Sequence, residues 1–187
     1  MKIGIIGTAG RDKSINMTRA LWDWMVADAK DKMEGNQHVH LISGGAAWAD
    51  HIAVALFLQN IVEHLTLHLP APFTGRFVGP QMSAGNAANY YHDRFSKVIG
   101  EDSLAQIAEA ATKPNCHGTF EPAAIGYAAM FARNQKVATG CDALLAYTFG
   151  TGDNPADGGT RNTWDHCTGK RIHVSLPRQI EQEIVNQ

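Results

Sequence analysis

Three segments combine glycine with hydroxyl or basic side chains, a composition suited to binding a phosphate. They are Gly4-Ile5-Ile6-Gly7-Thr8-Ala9-Gly10-Arg11-Asp12-Lys13, Ser43-Gly44-Gly45-Ala46-Ala47-Trp48-Ala49-Asp50 and Gly158-Gly159-Thr160-Arg161-Asn162-Thr163. Glycine lets backbone N–H groups approach an anion, and a helix that follows contributes the positive end of its dipole. The alternative is that each segment is an ordinary glycine turn between a strand and a helix.

An acid and an arginine–asparagine pair add charge elsewhere. Asp50 falls in the first turn of a helix predicted over 48–60, where it either contacts a ligand or complements the helix dipole. Arg133 and Asn134 lie late in an alanine-rich helix predicted over 121–138. This pair can hold a phosphate or a carboxylate through several donors, or it can mark a solvated helix end.

Glu121 is the candidate catalytic residue, because cleavage of an N-glycosidic bond needs a carboxylate. An acid at a helix start can also serve only to stabilise the helix.

Tyr90 and Arg94 are four residues apart and share a helical face that could stack a base and bind a phosphate. The alternative is that this helix packs in the core or between two subunits.

The nine histidines and three cysteines do not form a recognisable metal motif. Adjacent cysteine and histidine residues occur at 116–117 and 166–167, but neither pair has the CxxC or HxxxH spacing of a zinc site. An odd number of cysteines without such spacing also does not read as a disulfide framework. We therefore expect no metal site and no required cofactor. The ligand that we expect at the glycine segments is a nucleotide-type molecule.

Apolar runs rich in branched residues predict five strands, at 3–6, 39–42, 65–69, 143–147 and 172–176. Stretches with helical spacing lie between them, at 15–33, 48–60 and 121–138. This alternation predicts an α/β fold in which helices cover both faces of a parallel sheet. The carboxyl ends of the strands would then meet at one edge, where the glycine segments would converge.

The segment from Pro70 to Asn115 departs from this rhythm. It opens with turn chemistry and then predicts two helices, at 86–98 and 102–112. We interpret it as a helical insertion within a single domain of residues 1–187. It would pack over the ligand-binding edge or serve as a dimerisation arm.

Length and charge limit the class of partner. The 187 residues suit one domain, and 16 basic against 18 acidic side chains give a formal net charge of −2. Because a dedicated nucleic-acid binder usually carries a clear basic excess, we do not expect nucleic acid as a partner.

No apolar run approaches the roughly 18 residues that span a bilayer, and no signal peptide is visible. We expect a cytoplasmic protein that does not bind membranes and forms a homodimer or higher homo-oligomer.

The order of the motifs resembles the SLOG superfamily of Rossmann-like nucleotide-binding proteins, and within it the YspA-like, YpsA-related branch. The matching elements are Gly10-Arg11-Asp12, Ser43-Gly44-Gly45-Ala46 with Asp50, Arg133-Asn134, Gly140-Cys141-Asp142-Ala143 and Gly158-Gly159-Thr160. The resemblance leaves the segment from Pro70 to Asn115 unmatched. It implies a Rossmann-like sheet and a nucleotide-related ligand in the pocket formed by these loops. More distant members are the Lonely Guy phosphoribohydrolases and DNA-processing protein A.

The hydrolase motif of the Lonely Guy enzymes is incomplete in this chain. Their GGxGTxxE motif ends in a glutamate that assists cleavage of the N-glycosidic bond, and Thr163 stands at that place here. Threonine cannot act as a carboxylate acid or base at neutral pH. The main hypothesis is therefore a sensor or sequestering protein for a phosphorylated small molecule. The alternatives are a nucleoside monophosphate N-glycosidase or (deoxy)ribosyltransferase, and a protein that binds single-stranded DNA.

Overall fold

The computed structural model describes residues 1–11, 17–34, 38–156 and 158–177. Asp12 and Lys13 of the first glycine segment lie outside the described residues. The strands are β1 (Lys2–Gly7), β2 (His40–Ser43), β3 (His64–Leu69), β4 (Cys116–Phe120), β5 (Ala143–Thr148) and β6 (Lys170–Ser175). The helices are α1 (Arg19–Asp31), α2 (Ile52–Leu58), α3 (Ala84–Ile99), α4 (Ser103–Thr112), α5 (Ala128–Gly140) and α6 (Gly159–His166), and a short 3-10 helix, Trp48–His51, precedes α2.

The six strands form one parallel sheet in the order β4-β3-β2-β1-β5-β6. The five strands predicted from apolar runs are confirmed at their predicted places, with bounds that differ by a few residues. A parallel sheet with helices on both faces is a Rossmann-like α/β fold, as expected. None of the helices in the described residues is both long and apolar enough to span a membrane.

Side chains of β1 alternate between two hydrophobic cores. Ile3 and Ile5 face the larger core, which is completed by α1, the 3-10 helix, α2, α3 and α4. Ile6 faces the smaller core beneath α5 and α6. This period of two in a strand that is buried on both faces explains why the run is apolar throughout.

Strand β4 is the element that the sequence analysis missed. It consists of Cys116-His117-Gly118-Thr119-Phe120, lies at the sheet edge beside β3, and is mostly exposed. An exposed edge strand with a glycine at its centre has no apolar pattern that would reveal it. The two helices predicted within 70–115 are present as α3 and α4. They lie on the connection between the neighbouring parallel strands β3 and β4.

Helix α5 begins at Ala128, and the prediction that it begins at residue 121 is wrong. The residue before Pro122 is biased away from helical backbone, and Gly126 has φ +85°. Glu121 therefore lies directly after β4, seven residues before the helix. It is not at a helix N-terminus.

The order of strands along the sheet reverses between β1 and β5. Strands β2, β3 and β4 lie on one side of β1, whereas β5 and β6 lie on the other. In sheets of this type the loops at such a reversal diverge and leave a crevice at the carboxyl ends of the strands. The fold thus places the loops after β1 and β5 on either side of a cleft at the carboxyl edge of the sheet.

Candidate functional site

A cavity of about 510 Å³ lies at the carboxyl edge of the sheet. That volume is in the usual range for small-molecule sites. Most of the predicted binding residues line it, namely Gly7, Thr8, Arg11, Asp50, Arg133, Asn134, Gly158, Gly159, Thr160 and Thr163. The expected convergence of the glycine segments at one edge is therefore present in the structure.

The turn after β1 forms the floor of the cavity. Gly7 has φ +152°, and a Cβ atom there would lie 2.0 Å from the Tyr147 carbonyl oxygen. The Thr8 amide donates to that same carbonyl at 2.8 Å. The hydroxyl of Thr160 donates to the Gly7 carbonyl at 3.0 Å. Gly7 thus allows β1, β5 and α6 to meet closely.

The N-terminus of α6 opens onto the cavity through Gly158, Gly159 and Thr160. No side chain among the described residues makes a capping hydrogen bond to this helix. The first N–H groups of a helix have no acceptor within the helix, and they carry the positive end of its dipole. The Thr163 hydroxyl donates to the Gly159 carbonyl at 3.1 Å, and Asn134 Nδ2 donates to the same carbonyl at 3.1 Å. These contacts fix the position of the first turn.

Asp50 and Arg133 form a buried ion pair in the wall of the cavity. Arg133 Nη1 lies 2.8 Å from Asp50 Oδ2, and their side chains are only 10% and 7% exposed. Arg133 Nε is buried and has no hydrogen-bond partner within the described part of the chain. The pair fixes the arginine, so its guanidinium is pre-positioned for a second anionic partner.

Gly44 makes this ion pair possible. A Cβ atom at this position would lie 1.4 Å from Arg133 Nη1 and 2.8 Å from Asp50 Oδ2. Gly44 itself does not line the cavity. Its absent side chain leaves space for an arginine, whereas the sequence analysis expected space for a phosphate.

Arg11 lines the cavity and contacts Tyr91 and Met130, which line it as well. Its guanidinium carbon lies 4.9 Å from the centroid of the Tyr91 ring, and its Nη2 lies 3.6 Å from Met130 Sδ. Neither an aromatic ring nor a thioether carries a negative charge, so these contacts do not neutralise Arg11. Its guanidinium can therefore also bind an anion.

Several predicted site residues do not line the cavity. Ser43 Oγ donates to the Asp50 carbonyl at 2.7 Å and accepts from the Gly45 amide at 3.1 Å, so both residues hold the loop after β2. Gly10 has φ +72°, and a Cβ atom there would meet the Trp48 ring. Arg161 pairs with Asp165 at 2.9 Å along α6.

Glu121 is also outside the residues that line the cavity. Lys136 Nζ lies 2.5 Å from Glu121 Oε1, which gives the carboxylate a structural partner. Of the two acids that the sequence analysis considered closely, Asp50 is the one in the cavity wall. Tyr90 and Arg94 contact each other on the exposed side of α3, where the Arg94 Nη1 donates to the Tyr90 hydroxyl at 2.9 Å.

The sequence analysis missed three aromatic residues that line the cavity, namely Tyr91, Tyr127 and Phe131. Tyr91 lies next to the predicted Tyr90, on the helical face that turns toward the cavity. Phe131, Asn134 and Val137 are spaced three residues apart along α5, and all line the cavity. That spacing was the available signal, because it places them near one face of a helix.

Two buried histidines support the loop after β2. His92 Nε2 donates to the Gly45 carbonyl at 3.0 Å, and its Nδ1 accepts from the Ser103 hydroxyl at 2.9 Å. Burial lowers the pKa of His92 to about 4. Burial, with the nearby His92, lowers the pKa of His51 to about 3. Both imidazoles are therefore neutral at physiological pH, and they serve as hydrogen-bonding core residues.

Metal-binding geometry is not found in the ranges that the structure describes, where no three His, Cys, Asp or Glu side chains gather. Cys141 Sγ and Cys167 Sγ lie 4.0 Å apart as free thiols. Burial, with the neighbouring Cys167, raises the pKa of Cys141 to about 12. A thiol in this state is a poor nucleophile at neutral pH.

No family model matches the chain. The solved structure of DNA processing protein A from Helicobacter pylori, described as binding single-stranded DNA in a unique mode, is similar with 15% identity and a TM-score of 0.49, over 100% of this chain and 81% of that chain. The protein named "Uncharacterized protein R261" of Acanthamoeba polyphaga mimivirus is 34% identical in a comparison that covers 94% of this chain and 97% of that protein. The chain therefore belongs to the same family as this mimivirus protein.

Proposed function

We propose that the cavity binds a phosphorylated small molecule, most simply a nucleotide. The observation that carries this proposal is the N-terminus of α6, which opens onto the cavity and accepts no side-chain cap from the described residues. The free N–H groups and the helix dipole at this end favour an anion. The unpartnered, buried Nε of Arg133 in the same wall is a second, independent feature that favours an anionic ligand.

Binding without reaction is the function that the geometry supports best. A carboxylate that attacks or protonates an N-glycosidic bond must be free to reach the sugar. The Asp50 carboxylate is held by Arg133 at 2.8 Å, and the Glu121 carboxylate is held by Lys136 outside the cavity. The arrangement accordingly favours a sensor or sequestering protein over an N-glycosidase.

The charge of the chain supports a small ligand over a polyanion. The net charge of −2 provides no overall field that would attract a nucleic acid. The N-terminus of α6 together with Arg11 and Arg133 suits one or two phosphate groups.

The change Gly159→Asp tests this proposal. A Cβ atom at Gly159 meets only Asn134 Nδ2, at the ordinary contact distance of 3.5 Å. An acid in the first turn stabilises a helix by about 0.3–1 kcal/mol, so folding is preserved. The new carboxylate occupies the anion position, and we expect the affinity for AMP to fall tenfold or more by calorimetry.

The matched control is Gly118→Asp on the exposed edge strand β4, where a Cβ atom meets nothing within 4 Å. It makes the same change in net charge away from the cavity, and its affinity for AMP should equal that of the wild type. The proposal fails if both variants bind AMP alike, or if the wild type binds no nucleotide, cyclic dinucleotide or ADP-ribose derivative.

A further inference from the structure

We propose that Tyr127 and Phe131 form a stacking surface for the base of a nucleoside monophosphate. This inference rests on the proposed function and assigns the opposite end of the same ligand. Both rings line the cavity. They are 52% and 49% exposed, although large aromatic side chains are usually well buried in a folded protein.

Neither ring has an aromatic partner among the described residues. The ring pairs in that part of the chain involve other residues, such as Tyr90 with Tyr91 at 5.2 Å between centroids. Tyr91 also lines the cavity, but the Arg11 guanidinium already lies over its ring at 4.9 Å. Tyr127 and Phe131 are therefore the cavity-lining rings that no other ring and no cation covers in the described part of the chain.

Helix α5 connects the aromatic surface to the N-terminal turn of α6. Phe131 and Asn134 are three residues apart, or about 4.5 Å along the helix axis. Asn134 Nδ2 contacts the Gly159 carbonyl at 3.1 Å, so this residue marks the anion end. A nucleotide whose phosphate meets the first turn of α6 would place its base at Phe131, which lines the same cavity.

The neighbouring wall indicates how the base would be recognised. Met130, Ala46, Ala47, Ala88 and Pro70 also line the cavity, and their side chains offer no strong hydrogen-bond donor or acceptor. Stacking tolerates any base, because every base has a π-face. The ligand class is thus nucleoside monophosphates with little discrimination among the four bases.

The test compares AMP, GMP, CMP and UMP with ribose 5-phosphate, which has the anion and the sugar but no base. For the wild type, we expect all four nucleotides to bind at least fivefold more tightly than ribose 5-phosphate. The changes Tyr127→Ala and Phe131→Ala should each weaken nucleotide binding roughly five- to hundredfold. Neither change should alter the affinity for ribose 5-phosphate by more than about twofold, since stacking involves only the base.

The matched control is Phe120→Ala on β4. This phenylalanine is 60% exposed and does not line the cavity. All three side chains are at the surface, so the thermal unfolding midpoints of the variants should remain close to that of the wild type.

Two outcomes would overturn the inference in different ways. If the nucleotides bind but Tyr127→Ala and Phe131→Ala leave their affinities unchanged, the base is held elsewhere and the proposed function stands. If the wild type binds neither the nucleotides nor ribose 5-phosphate, the proposed function itself fails and the base site fails with it.

Discussion

Gly44 is a residue whose lack of a side chain determines the geometry of the site. Its Cα lies against the Asp50–Arg133 pair, so that any Cβ would overlap the guanidinium. The sequence pattern predicts close approach of a ligand at Gly44, and the structure places the Arg133 guanidinium there. It could not say what approaches, because the arginine comes from a helix about ninety residues further along the chain.

The change Gly44→Ala should therefore destabilise the protein. The methyl group would displace Arg133 and leave Asp50 buried without its partner. Breaking a buried ion pair costs about 3–5 kcal/mol, and we expect a loss of free energy of unfolding near that range in urea titrations. Gly118→Ala, with open space at its Cβ, is the control. A Gly44→Ala variant as stable as Gly118→Ala would show that the guanidinium moves without cost.

At the scale of elements, helix α3 is anchored to the loop after β2 by a neutral imidazole. His92 on α3 donates to the Gly45 carbonyl, and His51 in the 3-10 helix contacts Gln106 of α4 through Nε2 at 2.7 Å. Both rings pack close to Phe95 or to each other. The helices and the loop after β2 thus share a core in which both imidazoles are neutral.

Acid should weaken this core. In the folded protein the pKa of His51 is about 3 and that of His92 is about 4, whereas an unfolded histidine has a pKa near 6.5. Below pH 6.5 the unfolded chain binds more protons, so the free energy of unfolding falls as the pH falls. The loss is about 2 kcal/mol for each imidazole at pH 5. Urea titrations at pH 7, 6 and 5 measure it, and equal stability at pH 7 and pH 5 would contradict the assignment.

Local pattern and long-range packing contributed differently to what the sequence could predict. Five strands were predictable, because buried parallel strands are apolar along their whole length. Strand β4 was not, since its residues are exposed and only pairing with β3 makes them a strand. The same distinction applies to the residues of the cavity wall. Asp50 is predictable from its place in a glycine loop. Tyr127 and Phe131 are not, because they line the cavity only through the way α5 packs against it.

At the scale of the whole molecule, one sheet edge collects groups from distant parts of the chain. The turn after β1, the loop after β2, and helices α5 and α6 all border one cavity beside the reversal in strand order. The sequence predicts this convergence from topology alone, because parallel strands end at one edge. It does not predict that the rings of Tyr127 and Phe131 line the same cavity as the N-terminus of α6.

The most direct test of the account is an NMR titration of the 15N-labelled, 20.3 kDa protein with AMP. Binding of the phosphate at α6 places it against the amides of Gly159 and Thr160. We predict that these two resonances shift to lower field and saturate with a single dissociation constant, with AMP and with ribose 5-phosphate alike. If AMP binds while the Gly159 and Thr160 amides stay unmoved, the anion does not bind at α6, and the central claim is wrong.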